Sequence, residues 1–443
     1  MFPSVPSTNH SLVRHWLLLA IAALAVAGVF SVLLVLLRTP SIEAIIPYHD
    51  FFHTALIVHV DLSVLVWMLA MSAMLWSMIV PYSMLMVGRA AFGVAVAGMV
   101  IIAVSAFIGE AKPLINNYIP VLQNPLFFLG LSLFGCAILL QAIATIVQKP
   151  PLKNGLYSGI YSSAVITLIA LLCFVLSYYK IQGYVQHNTL EIQHFYELLF
   201  WAGGHVLQFT YTQGMIIAWL ILAAACGITV PAVTMGWVLF INLLVVLPLP
   251  LVMGAYSIDS NEYLTYFTDH MRYAGGIAPL VVVALLLRVM IKSKSPALLS
   301  SPQGMALCCS VFLFGAGGVL AHMIQGANVT IPAHYHGSII AVTLAFMGLV
   351  YHLLSQLGYR APSGRLPVWQ LGILCGGQFL HISGLAWSGG YGVLRKTPGE
   401  VISLQAKMGM GLMGLGGVIA IVGGLLFVVI AVRAISQTVA EKR

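Results

Sequence analysis

Apolar stretches of about 20 residues, enough to cross ~30 Å of hydrocarbon at helical rise, recur along this sequence with short polar breaks between them. Twelve such spans are found, over 15–37, 54–80, 89–109, 125–148, 155–179, 198–225, 230–254, 271–292, 303–325, 333–357, 368–390 and 405–435. Turn and helix-breaking residues punctuate the intervals, among them Pro40-Ser41, Pro81-Tyr82, Pro150-Pro151, Ser295-Pro296 and Arg360-Ala361-Pro362. No motif recurs at a period of roughly 20 to 50 residues, so the pattern predicts one bundle rather than a repeat array. The expected architecture is an all-α integral membrane protein, a twelve-helix transmembrane bundle forming a single domain over 1–443. The first span follows a polar start, Ser4 to Arg14, and lacks a small-residue cleavage site, which predicts a retained helix rather than a signal peptide.

Composition agrees. Hydrophobic residues make up 60% of the 443 and charged residues only 7%, with a mean hydropathy of +1.01. A water-soluble surface needs about 25% charged residues, so most of the outer surface must face lipid. The formal charge of +8 is thinly spread and forms no basic run, which excludes nucleic acid as a partner. All six cysteines, Cys136, Cys173, Cys226, Cys308, Cys309 and Cys375, sit in apolar stretches without a CxxC pair and read as small core residues. Basic residues are unequally divided between alternate sides of the spans. Arg14, Arg89, Lys149, Lys153, Arg288, Lys292, Lys294, Arg360, Arg365, Arg433, Lys442 and Arg443 share the side of the termini, while Arg38, Lys112, Lys180, Arg272, Arg395, Lys396 and Lys407 occupy the other. Both termini are therefore expected in the cytoplasm, in a membrane of the bacterial inner type.

Against so few charges, 14 histidines are an excess over the 11 acidic residues. With that topology, His53, His59, His205, His270, His322, His334, His336 and His381 all fall in the outer half of the membrane, and His352 is the exception at an inner end. His10, His15, His49, His187 and His194 lie at the terminus, in loops or at span edges, where solvated or interfacial side chains are expected. One intramembrane histidine can simply bond a carbonyl, but eight at one level point to metal or cofactor chemistry. The sharpest unit is Ala333-His334-Tyr335-His336-Gly337. Residues two apart on a helix differ by about 200°, so these imidazoles cannot chelate one ion but can serve two cofactors flanking the helix. With a second ligand, His336 would complete six-coordinate haem iron, whereas His334 alone would leave a position open to a gas.

The sequence resembles the subunit I proteins of the haem-copper oxidase superfamily, which includes the nitric oxide reductases. The resemblance spans essentially the whole chain. It is carried by Ala333-His334-Tyr335-His336-Gly337 in span 10, Phe52-His53-Thr54-Ala55-Leu56 in span 2, Phe200-Trp201-Ala202-Gly203-Gly204-His205 in span 6, and His381-Ile382-Ser383-Gly384-Leu385-Ala386 followed by Arg395-Lys396-Thr397-Pro398 beyond span 11. It implies two haems: a low-spin haem held by His53 and His336, and a high-spin haem held by His334. It further implies that His205 contributes to a copper or non-haem iron beside the second haem, and that Arg395 and Lys396 neutralise haem propionates. An outer-side electron donor, a cytochrome c or cupredoxin-type partner, and a diatomic gas, O2 or NO, are implied with them.

Span 7 departs from the family. It reads Phe240 to Tyr256 without a histidine where an adjacent pair is expected, and a divalent copper or iron wants three or more N/O ligands. His59, His270, His322 and His381 are possible substitutes on other helices, with Gln208 a weak one. The tyrosine that oxidases place beside the span-6 histidine is also missing: Phe209 and Leu243 stand where the family variants would put it. Nor does span 6 carry the reductases' glutamate beyond His205. Asp61, the one carboxylate well inside a span, would relay protons or orient His59; the alternative is a buried acid paired with a hydroxyl or kept protonated. Met68, Met71, Met74 and Met78 of span 2 and Gly409, Gly411, Gly414, Gly416 and Gly417 of span 12 are expected to be helix packing. Two function classes follow: a membrane oxidoreductase like a cytochrome c oxidase or nitric oxide reductase, and a non-enzymatic haem-binding relative that senses or conducts electrons. A secondary transporter explains twelve helices but not the histidine layer.

Overall fold

The computed structural model describes residues 5–37, 51–148, 154–293, 298–395 and 403–437. His49, Lys396 and the basic residues Arg38, Lys149, Lys153, Lys294, Lys442 and Arg443 lie outside them. The helices are α1 (His10–Leu37), α2 (Phe51–Val60), α3 (Trp67–Ser77), α4 (Leu85–Ser105), α5 (Pro125–Ile146), α6 (Gly155–Val185), α7 (Ile192–Ala225), α8 (Ala232–Val246), α9 (Leu249–Ala255), α10 (Asn261–Ala274), α11 (Ile277–Ser293), α12 (Pro302–His322), α13 (Thr330–Gln356), α14 (Leu366–Gly390) and α15 (Leu404–Ser436).

Three of the twelve spans are interrupted. A π-helical turn, Asp61–Val66, joins α2 to α3 within span 2. Pro248, which has no backbone N–H to continue the ladder, separates α8 from α9, and Gly275-Gly276 separate α10 from α11. The start of span 8 therefore lies ten residues before the hydropathy boundary, because the polar, amphipathic α10 precedes the apolar α11. Among the described residues, 11 helical segments are long and apolar enough to cross a membrane. The twelfth, α14, is diluted by Gln370, Gln378, His381 and its serines and glycines, whose polar atoms turn inward.

The described residues divide into two compact units, one within 5–217 and Pro231–Val282, the other of Ala218–Val230 and those within 283–437. In the first, Met68, Met71 and Met74 are wholly buried, so the methionine face of span 2 is core. Asn9 Nδ2 donates to Ser77 O and Val80 O at 2.8 and 2.9 Å, capping the C-terminal end of α3. Gln213 Nε2 donates to Leu239 O at 2.7 Å, and its Oε1 accepts from Asn242 Nδ2 at 2.9 Å, pinning α7 to α8. A short hairpin, β1 (Pro113–Leu114) paired antiparallel with β2 (Val121–Leu122), fills the break between α4 and α5.

In the second unit, Gln370 accepts from Tyr351 Oη at 2.9 Å and donates to Gly423 O at 3.0 Å, linking α13, α14 and α15. Trp219 Nε1 donates to Ser310 Oγ at 2.7 Å, and that hydroxyl donates to Ala341 O at 2.6 Å. Hydrogen bonds between membrane helices average only about 0.6 kcal/mol, so close packing through small residues does much of the holding. Between α14 and α15 backbone meets backbone: a Cβ on Gly416 would collide with the amide nitrogen of His381. Of the span-12 glycines expected to pack, Gly409 and Gly416 sit in such contacts, whereas Gly411 and Gly414 face open space.

Candidate functional site

The first turns of α13 carry the two histidines of the sharpest sequence motif, and each ring is tied by Nδ1 to a backbone carbonyl. His334 bonds Gly317 O of α12 at 2.8 Å, and His336 bonds Pro332 O of its own helix at 2.9 Å. A carbonyl only accepts, so Nδ1 carries the hydrogen in both and the lone pair of the neutral ring belongs to Nε2. Metal-bound histidines almost always donate their other nitrogen in this way, which fixes the tautomer and strengthens the ligand. His381 of α14 repeats the arrangement, its Nδ1 bonding Met413 O of α15 at 2.9 Å. The rings of His336 and His381 meet edge to face, 5.0 Å between centroids. Imidazoles of the same tautomer from two helices, His336 and His381, thus meet, while His334 turns towards α12. Arg395, half-buried and close enough to act electrostatically on Tyr335, belongs to the same unit, with its N–H donating to Ala327 O at 3.2 Å.

The first unit holds His205 on α7, 2% exposed. Its Nδ1 bonds Trp201 O at 2.7 Å, which leaves Nε2 as acceptor, and Tyr118 Oη donates to that atom at 2.8 Å. The phenol that bonds His205 thus comes from the β1–β2 hairpin. Its placement is built from both sides. Tyr118 adopts φ +69, a conformation that costs a non-glycine residue on the order of 1–3 kcal/mol and persists only when its surroundings impose it. Along α7, Gln193 donates to Ile115 O at 3.0 Å, Glu197 accepts from Asn117 at 3.0 Å, and the Trp201 ring meets the Tyr118 ring edge to face. Positions 193, 197, 201 and 205 are spaced by four and share one helix face, so a single stripe seats the whole hairpin. Gly204 makes room: a Cβ there would overlap the Tyr118 ring. The signal for Tyr118 in the sequence was only two turn-forming asparagines, Asn116 and Asn117, before an aromatic residue.

His205 is therefore a histidine whose metal-binding lone pair is engaged by a phenol. The Tyr118–His205 hydrogen bond is expected to show a coupling of about 1 kcal/mol in a double-mutant cycle of Tyr118→Phe and His205→Leu read by thermal unfolding in detergent. Additive effects of the two changes would mean the pair does not form.

The other histidines of the sequence layer have structural partners. His270 uses Nε2, bonding Val245 O at 3.0 Å beside the α8–α9 break, and its ring packs on Phe209, 5.4 Å away. His322 is exposed and bonds Gly318 O one turn back at 3.0 Å. Among the described residues, no group of three or more His, Cys, Asp or Glu is placed to hold a metal ion. Outside the spans, His194 bonds Asp259 at 2.6 Å, and this hydrogen bond holds the Asp259 carboxyl below its ordinary range.

His53 opens α2 with Phe52 against its ring. His59 bonds Ala27 O at 2.9 Å, so that carbonyl, and not Asp61, orients it. Asp61 begins the π-helical turn, is 1% exposed, and among the described residues neither carboxyl oxygen has a hydrogen-bond partner. The hydroxyl partner considered from the sequence is absent: the nearby Ser63 donates to His59 O at 2.7 Å. A lone π-turn often marks a functional position, since it rotates side chains out of helical register. Removing an unpartnered buried carboxyl relieves a desolvation penalty of about 1–3 kcal/mol, so Asp61→Leu is expected to raise thermal stability. A clear fall in the melting temperature would show that the carboxyl has a partner.

Comparison with known proteins now has a geometry to refer to. No protein-family model matches the chain. An uncharacterized protein of Rickettsia prowazekii (strain Madrid E) is 35% identical, with 96% of this chain and 96% of its own length covered. The chain belongs to the same family as that protein. An uncharacterized protein of Aquifex aeolicus (strain VF5) is 28% identical over 79% of this chain and 86% of its own length. Among solved structures, a haem-copper terminal oxidase, determined as a dimer by cryo-electron microscopy, superimposes with a TM-score of 0.73 at 17% identity, covering 99% of this chain and 86% of that one. The chain therefore has the haem-copper oxidase subunit I fold, as its motifs suggested, across nearly its whole length. Within that fold, the histidine-bearing start of α13 and the α7 segment ending in His205 are the elements whose local geometry is described above.

Proposed function

We propose that this chain is a haem-binding membrane oxidoreductase that passes electrons from an outer-side donor, a cytochrome c or cupredoxin-type partner, to a diatomic gas, O2 or NO. The observation that carries this reading is the shared tautomer of His334 and His336, each with Nδ1 tied to a carbonyl and its lone pair on Nε2, in a haem-copper oxidase fold. That chemistry fits axial ligation of haem iron. His336 and His53 take the low-spin ligand roles implied by their sequence positions, and His334 the high-spin one. Arg395 and Lys396 supply positive charge for propionates, a task suited to arginine's paired donors. Bound haem would supply one-electron transfer at a six-coordinate iron and gas binding at a five-coordinate one. The carbonyls of Gly317 and Pro332 orient the ligands. The basic-residue distribution supports a bacterial-type inner membrane with both termini in the cytoplasm.

A second reading, a haem relative that senses or conducts electrons without turnover, is favoured by one feature. The lone pair of His205 is occupied by Tyr118, and His270 caps a helix break, so a copper or non-haem iron at His205 would have to displace the phenol. A reduced-minus-oxidised spectrum of the purified protein tests the common core of both readings. Haem bands with a carbon monoxide-sensitive fraction are expected, and a protein that takes up no haem would overturn both. Steady consumption of O2 or NO with a reduced donor then selects the enzyme, and its absence in fully haem-loaded protein selects the conduit.

A further inference from the structure

Four of the six cysteines, Cys226, Cys308, Cys309 and Cys375, lie in the second unit, and two of them face each other across a helix pair. On α12, Met305 and Cys309 are four residues apart and therefore on one face. The Cys309 thiol is 3.6 Å from Met305 Sδ. From α14, Cys375 reaches the same helical turn: its thiol donates to the backbone carbonyl of Cys309 at 3.9 Å. Cys309 and Cys375 are each 8% exposed, and no disulfide joins them.

We propose that Cys309, Cys375 and Met305 form a binding site for a soft monovalent metal ion, Cu(I). The donor types favour this ion, because thiolate and thioether ligands select Cu(I) over harder divalent metals. Spacing agrees. Metal–sulfur bonds of about 2.3 Å opened to about 120° separate neighbouring sulfurs by about 4 Å, close to the 3.6 Å between Cys309 Sγ and Met305 Sδ. Charge agrees as well. Binding replaces one thiol proton with the metal, R–SH + Cu⁺ giving R–S–Cu + H⁺, so one thiolate and one Cu(I) make a neutral centre in an apolar interior. The second thiol and the thioether complete the coordination without adding charge. Access comes through a cavity of about 600 Å³ bounded by Leu299, Ser300, Met305, Arg365, Trp369 and Gly372, which has the thioether in its wall. The site rests on sulfur chemistry alone and does not depend on haem binding.

The test uses full-length protein, purified in detergent under reducing, anaerobic conditions and titrated with Cu(I) against a chromophoric Cu(I) chelator. One tight equivalent is expected, with X-ray absorption showing sulfur neighbours at about 2.3 Å. Cys309→Ser and Cys375→Ser should each abolish that equivalent. Met305→Leu should weaken it about tenfold or more, the scale of losing a supporting interaction at a metal centre. Thermal unfolding and haem content of the same variants, unchanged from the parent protein, would show that the fold persists. Tight Cu(I) binding that survives both serine variants, coordination by nitrogen alone, or equal competition by Zn(II) would each overturn the proposal. So would intact-mass evidence that the anaerobically reduced pair closes to a disulfide on adding copper instead of retaining the metal.

Discussion

His336→Ala is expected to abolish the low-spin haem signal in a reduced-minus-oxidised spectrum, while the protein still folds and still reaches the membrane. His336 is half-buried at the start of α13; its Nδ1 bonds a carbonyl of its own helix, and its ring meets those of Tyr335 and His381. The ring contact with His381 that truncation removes is worth roughly 0.5–1.5 kcal/mol in aromatic pairs. The effect on the spectrum should therefore far exceed the effect on stability, since losing one of two axial ligands converts or releases a six-coordinate iron. His381→Ala provides the comparison. It removes the same ring contact from the other side and should shift or broaden the low-spin band but not abolish it. A low-spin signal that persists in His336→Ala would refute the ligand assignment. Equal loss in both variants would move the ligand role to the pair as a whole.

Much of this molecule was legible from sequence because lipid imposes a coarse rule: a span must be long, apolar and helical. Among the described residues eleven segments satisfy that rule, and α14, which does not, was still read from sequence as an apolar span over 368–390. The motif around His334 and His336 was equally plain, since two histidines near a span terminus have few structural reasons to exist. What sequence did not reveal depends on which atom faces which. Tyr118 lies in a polar break, where hydropathy has nothing to say, and its role arises from a left-handed backbone turn seated on a face of α7 nearly a hundred positions away. His270 looked like a candidate ligand because its depth matched the others, yet it serves the carbonyl of Val245 where Pro248 interrupts span 7. The cysteines read as inert core residues one at a time; their chemistry emerges only when α12 and α14 bring two thiols and a thioether together.

Gly416→Leu is expected to destabilise the protein by about 3 kcal/mol, the upper part of the usual range for overpacking. A Cβ at Gly416 meets the amide nitrogen of His381 and the carbonyl oxygen of Gly377, and backbone cannot swing aside as a flexible side chain can. The helices α14 and α15 must then separate, breaking the close approach that carries most of their association in the absence of a strong hydrophobic drive in lipid. Gly411→Leu is the control. It lies on the same helix five residues earlier, but its Cβ meets nothing within 4 Å, so a change within about 0.5 kcal/mol is expected there. Thermal unfolding in detergent distinguishes the two, and similar melting temperatures for both variants would show that the α14–α15 contact does not carry this load. A second consequence follows from the partner of His381, whose Nδ1 bonds Met413 O on α15. Parting the helices stretches that bond and frees the His381 ring from its fixed tautomer, and with it the edge that packs against His336. In any Gly416→Leu protein that survives purification, the low-spin band should be broadened or shifted as in His381→Ala, whereas Gly411→Leu should leave it unchanged.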